Sequence, residues 1–366
     1  MKLKVIEITG AFEAVAPLSL QESYDNSGLQ IGSPDQEISS ALITVDVTEK
    51  VVDEAVKTGA GLIITHHPLI FNGMKKITCN SEIGRSVIKA IRNNIAVYAA
   101  HTNFDSVDTG VNRIIGEKLG LMNLKVLKPA QGLLKKLAVY VPVNFIDSVR
   151  NAIFEAGAGH IGNYDMCSFN VEGLGSFRGS DEATPFTGEK NKLHFEKEIR
   201  IETIFPSYTQ KKVVEALLNA HPYEEVAFDI SPLDNDFDKV GMGMTGELPS
   251  PVGEILFMEK IKHVFNCKSI KYTNLKGLGI RKVALCGGSG AFLLREAISA
   301  GADIFISSDF KYHQFFEAEG RIVIADIGHY ESEQFTKELF YELLTKKFPT
   351  FAVRLSEVIT NPVNFL

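Results

Sequence analysis

Short apolar runs alternating with amphipathic stretches over residues 41–126 constrain the fold of this chain more than any other feature. ALITVDV (41–47) is strand-like, and Thr48 is placed to cap the helix EKVVDEAVKTG that follows. GLIIT (61–65) is a short apolar run of the kind buried in parallel sheets. A helix through GRSVIKAIRNN leads to the strand IAVYAA (95–100), and a helix through VNRIIGEKLG comes next. The rhythm returns late in the chain, in RKVALC (281–286), AFLLREAISAG, DIFISS (303–308), RIVIAD (321–326) and the helix of ESEQFTKELFYELL. Alternation of this kind predicts crossover units on a mainly parallel sheet, or sheets, with flanking helices, an α/β fold.

The middle of the chain breaks the rhythm. LAVYVP (137–142), a helix through FIDSVRNAIFEAG, strands around CSFNVEGLGSF and LHFEKEIRIETIF, a helix TQKKVVEALLNA and a strand EVAFDIS (225–231) give the order β-α-β-β-α-β. That is the ferredoxin-like split motif, and strict alternation in HFEKEIRIETIF marks a sheet with one wet face. A chain of 366 residues exceeds what one core usually serves. The expected organisation is therefore one α/β domain, residues 1–130 plus 246–366, interrupted by an inserted domain at 131–245. The insertion holds 17 acidic and 11 basic residues, against 28 and 27 in the remainder, so the net charge of −7 belongs almost wholly to it.

Charge and composition narrow the function classes. Nearly balanced flanking halves offer no general phosphate-neutralising face, so no general nucleic-acid binding is expected. The start MKLKVIEITG lacks an apolar signal core, and no run of eighteen apolar residues occurs, so no membrane association is expected. Cysteines at 79, 167, 267 and 286 are too scattered for a CxxC site and read as reduced thiols, which makes the cytoplasm the expected compartment.

Chemistry concentrates in loops that follow apolar strands. THHPLIF (65–71) puts His66 and His67 at a strand end, where open α/β sheets place their ligand sites, and Pro68 holds His67 extended. A pair of hydrogen-bonded structural histidines is the alternative. HTNFD (101–105) brings His101 and Asp105 into the next such loop, where an Asx turn or helix cap would serve equally. GHYESE (328–333) opens a helix with His329 and Glu333 four residues apart, on one face, although Glu in a first turn also complements the helix dipole. Together these loops, expected at one sheet edge, bring histidines and carboxylates from which three imidazoles and two carboxylates can be drawn. That set suits a pair of Zn²⁺, Mn²⁺, Fe²⁺ or Co²⁺ ions about 3.5–4 Å apart; the ligand types do not choose among them, and zinc is the cofactor expected first.

Two further motifs bear on a substrate. GGSG (Gly287, Gly288, Ser289, Gly290) lies between a strand and a helix, where backbone N–H groups could hold an anion, or form a plain tight turn. SDFKYH adds Lys311 and His313 as candidate anion or substrate contacts, although a lone loop lysine is usually solvated. HPYEE (221–225) is explained by a helix ending before Pro222 and receives no chemistry.

The phrases YDNSGLQIG (24–32), THHPLIF, HTNFD, GGSG, SDFKYH and GHYESE resemble the GTP cyclohydrolase 1 type 2 family, also called Nif-three-like proteins. The insertion is similar to that of a bacterial subset whose extra domain looks like CutA and PII signalling proteins. Carried over by position, the resemblance implies dinuclear ligands at His66, His67, Asp105, His329 and Glu333, with Glu333 bridging. It further implies a toroidal homohexamer and hydrolytic opening of the guanine imidazole ring of GTP. The expected function is thus metal-dependent hydrolysis of a small molecule, a nucleotide or phosphoester, with His101 as candidate proton shuttle or as a histidine orienting Asp105. The rival is a non-enzymatic, metal-dependent assembly or regulatory protein with a PII-like sensor domain.

Overall fold

The computed structural model describes residues 1–366, which form two compact units: residues 1–129 with 239–366, and residues 130–238. No helix is long and apolar enough to cross a membrane.

The first unit holds two large sheets, one mainly parallel with an antiparallel edge strand and one mixed, where mainly parallel pairing was expected throughout. In the five-stranded sheet the order is Ala352–Leu355, Ser40–Thr44, Leu62–Thr65, Ala96–Ala99, Gly28–Ile31. The first four strands run parallel and Gly28–Ile31 closes the edge antiparallel. All four residues of both Leu62–Thr65 and Ala96–Ala99 are buried, because helices cover both faces. On one face Val51, Val52, Val87 and Ala90 from helices Glu49–Thr58 and Glu82–Arg92 pack on Ile63 and Val97. On the other, Phe12 meets Tyr98, Phe104 and Phe340 at ring separations of 5.1–5.7 Å. Thr48 caps the first of these helices by accepting the Val51 N–H, and Gly59, at φ +71°, ends it in the left-handed conformation that glycine tolerates best.

The six-stranded sheet has the order Lys271–Tyr272, Val323–Asp326, Ile304–Ser308, Gly279–Ser289, Phe237–Gly253, Met122–Ala130. Only the three strands Val323–Asp326, Ile304–Ser308 and Gly279–Ser289 pair in parallel; Lys271–Tyr272 and Phe237–Gly253 pair antiparallel. The strand read as 281–286 runs on through Ser289, so the glycine motif belongs to the strand end and no long helix opens there; a single turn, Ala291–Leu293, precedes the short helix Leu294–Ser299. The chain leaves this unit along Met122–Ala130 and returns along the neighbouring strand Phe237–Gly253. The expected insertion boundary at 245 falls inside that returning strand, where Thr245 pairs with Ala284.

Residues 130–238 carry a four-stranded antiparallel sheet in the order Phe228–Leu233, Leu134–Pro142, His194–Pro206, Phe169–Phe177. Helices Ile146–Glu155 and Gln210–Ala220 cover one face, with Val149, Ile153, Val213 and Leu217 packed on Val139, Val141, Ile199 and Ile201. Burial along the second half of His194–Pro206 alternates, as a strand with one covered face requires.

Candidate metal centre

The three histidine loops converge, but from two sheets and not from one edge. His66, His67 and the loop of His101 and Asp105 follow Leu62–Thr65 and Ala96–Ala99 of the five-stranded sheet, whereas His329 and Glu333 follow Val323–Asp326 of the six-stranded sheet. The reason is that the late strands form a sheet of their own. The two sheets present the C-terminal ends of their parallel strands to a common space.

Each imidazole is oriented from behind. His66, wholly buried, donates from Nδ1 to the Ala100 carbonyl at 3.0 Å. His67 Nδ1 meets Asp46 Oδ1 at 2.7 Å, His101 Nδ1 meets Asp25 Oδ1 at 2.7 Å, and His329 Nδ1 meets Asp309 Oδ2 at 2.6 Å. A carboxylate or carbonyl on Nδ1 fixes the tautomer and turns Nε2 inward, the arrangement that surrounds metal-bound histidines. The ligand atoms of His66, His67 and His101 lie within 4.8 Å of one another, as do those of His67, His329 and Glu333.

Glu333 sits at the centre. Its Oε1 is 3.6 Å from His66 Nε2, and its Oε2 is 2.9 Å from His67 Nε2 and 3.1 Å from His329 Nε2. His329 and Glu333 are one helical turn apart on the helix His329–Glu333, as their spacing requires. Gly288, at φ +63°, makes room: a Cβ there would fall 2.2 Å from Glu333 Oε1. Asp105 Oδ1 approaches His66 Nε2 to 3.8 Å.

The electrostatics of the cluster are those of buried carboxylates and imidazoles in close mutual contact. His66 Nε2 and Asp105 Oδ1 are buried without a hydrogen-bond partner, and Glu333 Oε2 is buried with only the Nε2 atoms of His67 and His329 near it. Burial and the adjacent Glu333 carboxylate push Asp105 up to about 7. Burial opposes the charge on Glu333, but His66, His329 and His67 outweigh it and hold the carboxyl well below the usual range. Burial disfavours the charged His67, yet Asp46 and Glu333 raise it to about 10; His329 rises to about 9 against the same penalty through Glu333 and Asp309. His67 Nε2 and His329 Nε2 face each other at 3.2 Å, which two protonated rings would resist. Buried lone pairs of imidazole and carboxylate aimed at a shared space form a donor set that can hold divalent transition-metal ions.

A cavity of about 470 Å³ opens onto this cluster. His67, His101, Asp105, His329 and Glu333 line its floor, and Tyr24, Phe71 and Phe292, all substantially exposed, form its walls. No lysine or arginine lines it. Of the expected substrate contacts, Gly287 and Ser289 reach the cavity, while Lys311 and His313 are exposed and lie outside it. The glycine motif is no anion cradle. The N–H groups of Gly287, Gly288 and Gly290 donate to Asn112 Oδ1, Ser332 Oγ and Ser307 Oγ, each at 2.9 Å. Sequence reasoning missed Asp25 and Asp46, and it named Asp309 only as part of a motif. Asp46 stands just past an apolar strand end, like the histidines, and that position was its available signal. Asp25 follows no such strand, and only its hydrogen bonds to His101, Thr102 and Ser27 reveal it.

The profile of the Duf34/NIF3 (NGG1p interacting factor 3) family matches residues 3–362. A protein of Bacillus subtilis strain 168 called GTP cyclohydrolase 1 type 2 homolog is 39% identical over 367 residues, covering 98% of each chain. A relative of the same name from Staphylococcus aureus strain MSSA476 is 31% identical over the full length of both. Among solved structures, a Bacillus cereus protein related to NIF3 superposes with a TM-score of 0.87 at 39% identity, covering 100% of this chain and 99% of that one. With the histidine and carboxylate loops brought together in a fold shared with these relatives, the chain belongs to the Duf34/NIF3 family.

Proposed function

We propose that His66, His67, Asp105, His329 and Glu333 hold two divalent metal ions, with Glu333 between them, and that the centre serves hydrolysis of a small molecule. The observation that carries this reading is a pair of buried, unpartnered ligand atoms, His66 Nε2 and Asp105 Oδ1, in one cluster with the buried Glu333 carboxylate. Such atoms are costly unless something binds them. Divalent ions would supply Lewis acidity toward a carbonyl or phosphoryl oxygen and lower the pKa of water. The chain's own residues do the rest. Asp46 and Asp309 keep the Nε2 atoms of His67 and His329 aimed inward. His101, with Nδ1 committed to Asp25, keeps Nε2 at the cavity for moving a proton.

The walls suggest the substrate. Aromatic rings of Tyr24, Phe71 and Phe292 suit the flat face of a heterocyclic base, and the absence of lysine and arginine leaves phosphate groups to the metal ions. The relatives' name, GTP cyclohydrolase 1 type 2 homolog, is compatible with attack on a purine base, and nucleosides belong in the assay beside nucleotides and phosphoesters. The test is elemental analysis of the purified protein followed by turnover of that panel. Two ions per chain with turnover of a base-containing substrate supports the reading. One ion or none at saturation overturns the dinuclear site, and two ions without turnover of any substrate favours the non-enzymatic role.

We also infer that residues 130–238 form a ferredoxin-like split motif of CutA/PII type, from their strand order and fully antiparallel pairing. A homohexamer remains our proposal for the assembly, tested by light scattering on the purified protein.

A further inference from the structure

The inserted unit has a cavity of its own. It measures about 550 Å³ and is lined by Tyr140, Phe177, Phe186, Tyr223 and Glu198, among others, all within residues 130–238. Tyr223 lies 6.2 Å, ring to ring, from both Phe177 and Phe186. Phe186 is 53% exposed, an aromatic wall facing open space.

The carboxylate in this aromatic setting is held in place. Glu198 Oε1 accepts the Tyr223 hydroxyl at 2.9 Å, while Oε2 lies over Gly175, 2.1 Å from where a Cβ would stand. Any side chain at 175 would displace the carboxylate. Glu202, two positions along the same strand face, pairs with Lys136 and Arg200, but no lysine or arginine pairs with Glu198. His221 secures both tyrosines: its Nε2 donates to the Tyr140 carbonyl at 3.0 Å, and its Nδ1 accepts the Tyr223 N–H at 3.1 Å. Glu224 accepts the Thr184 N–H at 2.6 Å and so tethers the segment that carries Phe186. The HPYEE stretch therefore does more than end a helix: it builds this cavity. Its lining carries Glu198, Glu224 and Glu225 against a single cation, Arg178.

We propose that this cavity binds a small organic cation, an ammonium group on an apolar or aromatic body, with the charge between Glu198 and the rings of Tyr223 and Phe177. Aromatic faces attract cations through the ring quadrupole, and an adjacent fixed carboxylate adds a charge-assisted hydrogen bond. A cavity of this size takes a body as large as an indole, and the excess of carboxylates repels anions of the same shape.

The test is calorimetric titration of the full chain with tryptamine and with indole-3-acetate, which share a ring and differ in charge. Tryptamine should saturate one site per chain and indole-3-acetate should not. Glu198→Gln, which can still accept the Tyr223 hydroxyl, should weaken tryptamine binding by about tenfold or more. Equal affinity for the acid, unchanged affinity in Glu198→Gln, or no saturable tryptamine binding up to about 10 mM would overturn the proposal. If Glu198→Gln loses its fold, resonance mapping on the wild-type chain decides: tryptamine must shift the signals of Tyr223 and Phe186, and shifts confined to other regions refute the site.

Discussion

Glu333 is the residue on which the proposed metal centre turns. It is 3% exposed, it touches three imidazoles, and it holds its charge against burial only because they surround it. Glu333→Gln should therefore release both ions, whereas His66→Ala should loosen chiefly one; elemental analysis of the two variants separates these outcomes. Asp46 does not itself line the cavity but fixes His67, which does, and Thr360 in turn donates to Asp46 at 2.6 Å. Asp46→Asn should keep the fold and weaken metal binding by about 10- to 100-fold, the usual cost of losing a carboxylate behind a histidine ligand. Chelator competition measures it, and unchanged affinity would show that His67 is not a ligand.

Elements carry their own signals. Thr48 before EKVVDEAVKTG reads as a helix cap, and its hydroxyl does accept the Val51 N–H. Thr48→Ala should cost about 1 kcal/mol of stability in denaturant unfolding, with no change in metal content. In the inserted unit, His221 bridges the end of the helix Gln210–Ala220 and the strand Leu134–Pro142 in its neutral form, since Nδ1 must accept the Tyr223 N–H. Burial lowers its pKa below 6.5. The unfolded chain therefore takes up this proton first as pH falls. The stability His221 contributes is complete above pH 6.5 and drains away as pH falls through the folded-state value. Melting temperatures between pH 7.5 and 5 should fall less steeply in His221→Gln than in the wild type; parallel slopes would exclude His221 as the source.

At the scale of the whole molecule, the chain leaves and re-enters the first unit on neighbouring strands of one sheet, and every proposed ligand lies outside residues 130–238. Replacing 130–238 by a short Gly/Ser linker should give a folded protein with unchanged metal stoichiometry. Loss of metal in a folded deletion would mean that the inserted unit supports the centre. The cut must stop before 239, because the strand Phe237–Gly253 pairs with Gly279–Ser289 well past residue 239.

The local pattern of the sequence determined the alternating strands and helices, the different character of the middle of the chain, and the histidine and carboxylate loops that the structure brings together. Those are properties of periodicity and side-chain chemistry, and a short stretch of chain carries them. His329 and Glu333 could be paired from spacing alone because a helix repeats within one turn. Tertiary structure decided what depends on residues distant in the chain. It split the late strands into a second sheet, since apolar runs do not specify which neighbour they pair with. It spent the glycine-motif N–H groups on Asn112, Ser332 and Ser307, and left Lys311 and His313 in solvent. It also brought Asp25 to His101, 76 residues away, and gathered Tyr140, Phe177, Glu198 and Tyr223 around one cavity. Hydrogen bonds and cavities between remote segments follow from chain packing, which no local window of the sequence contains.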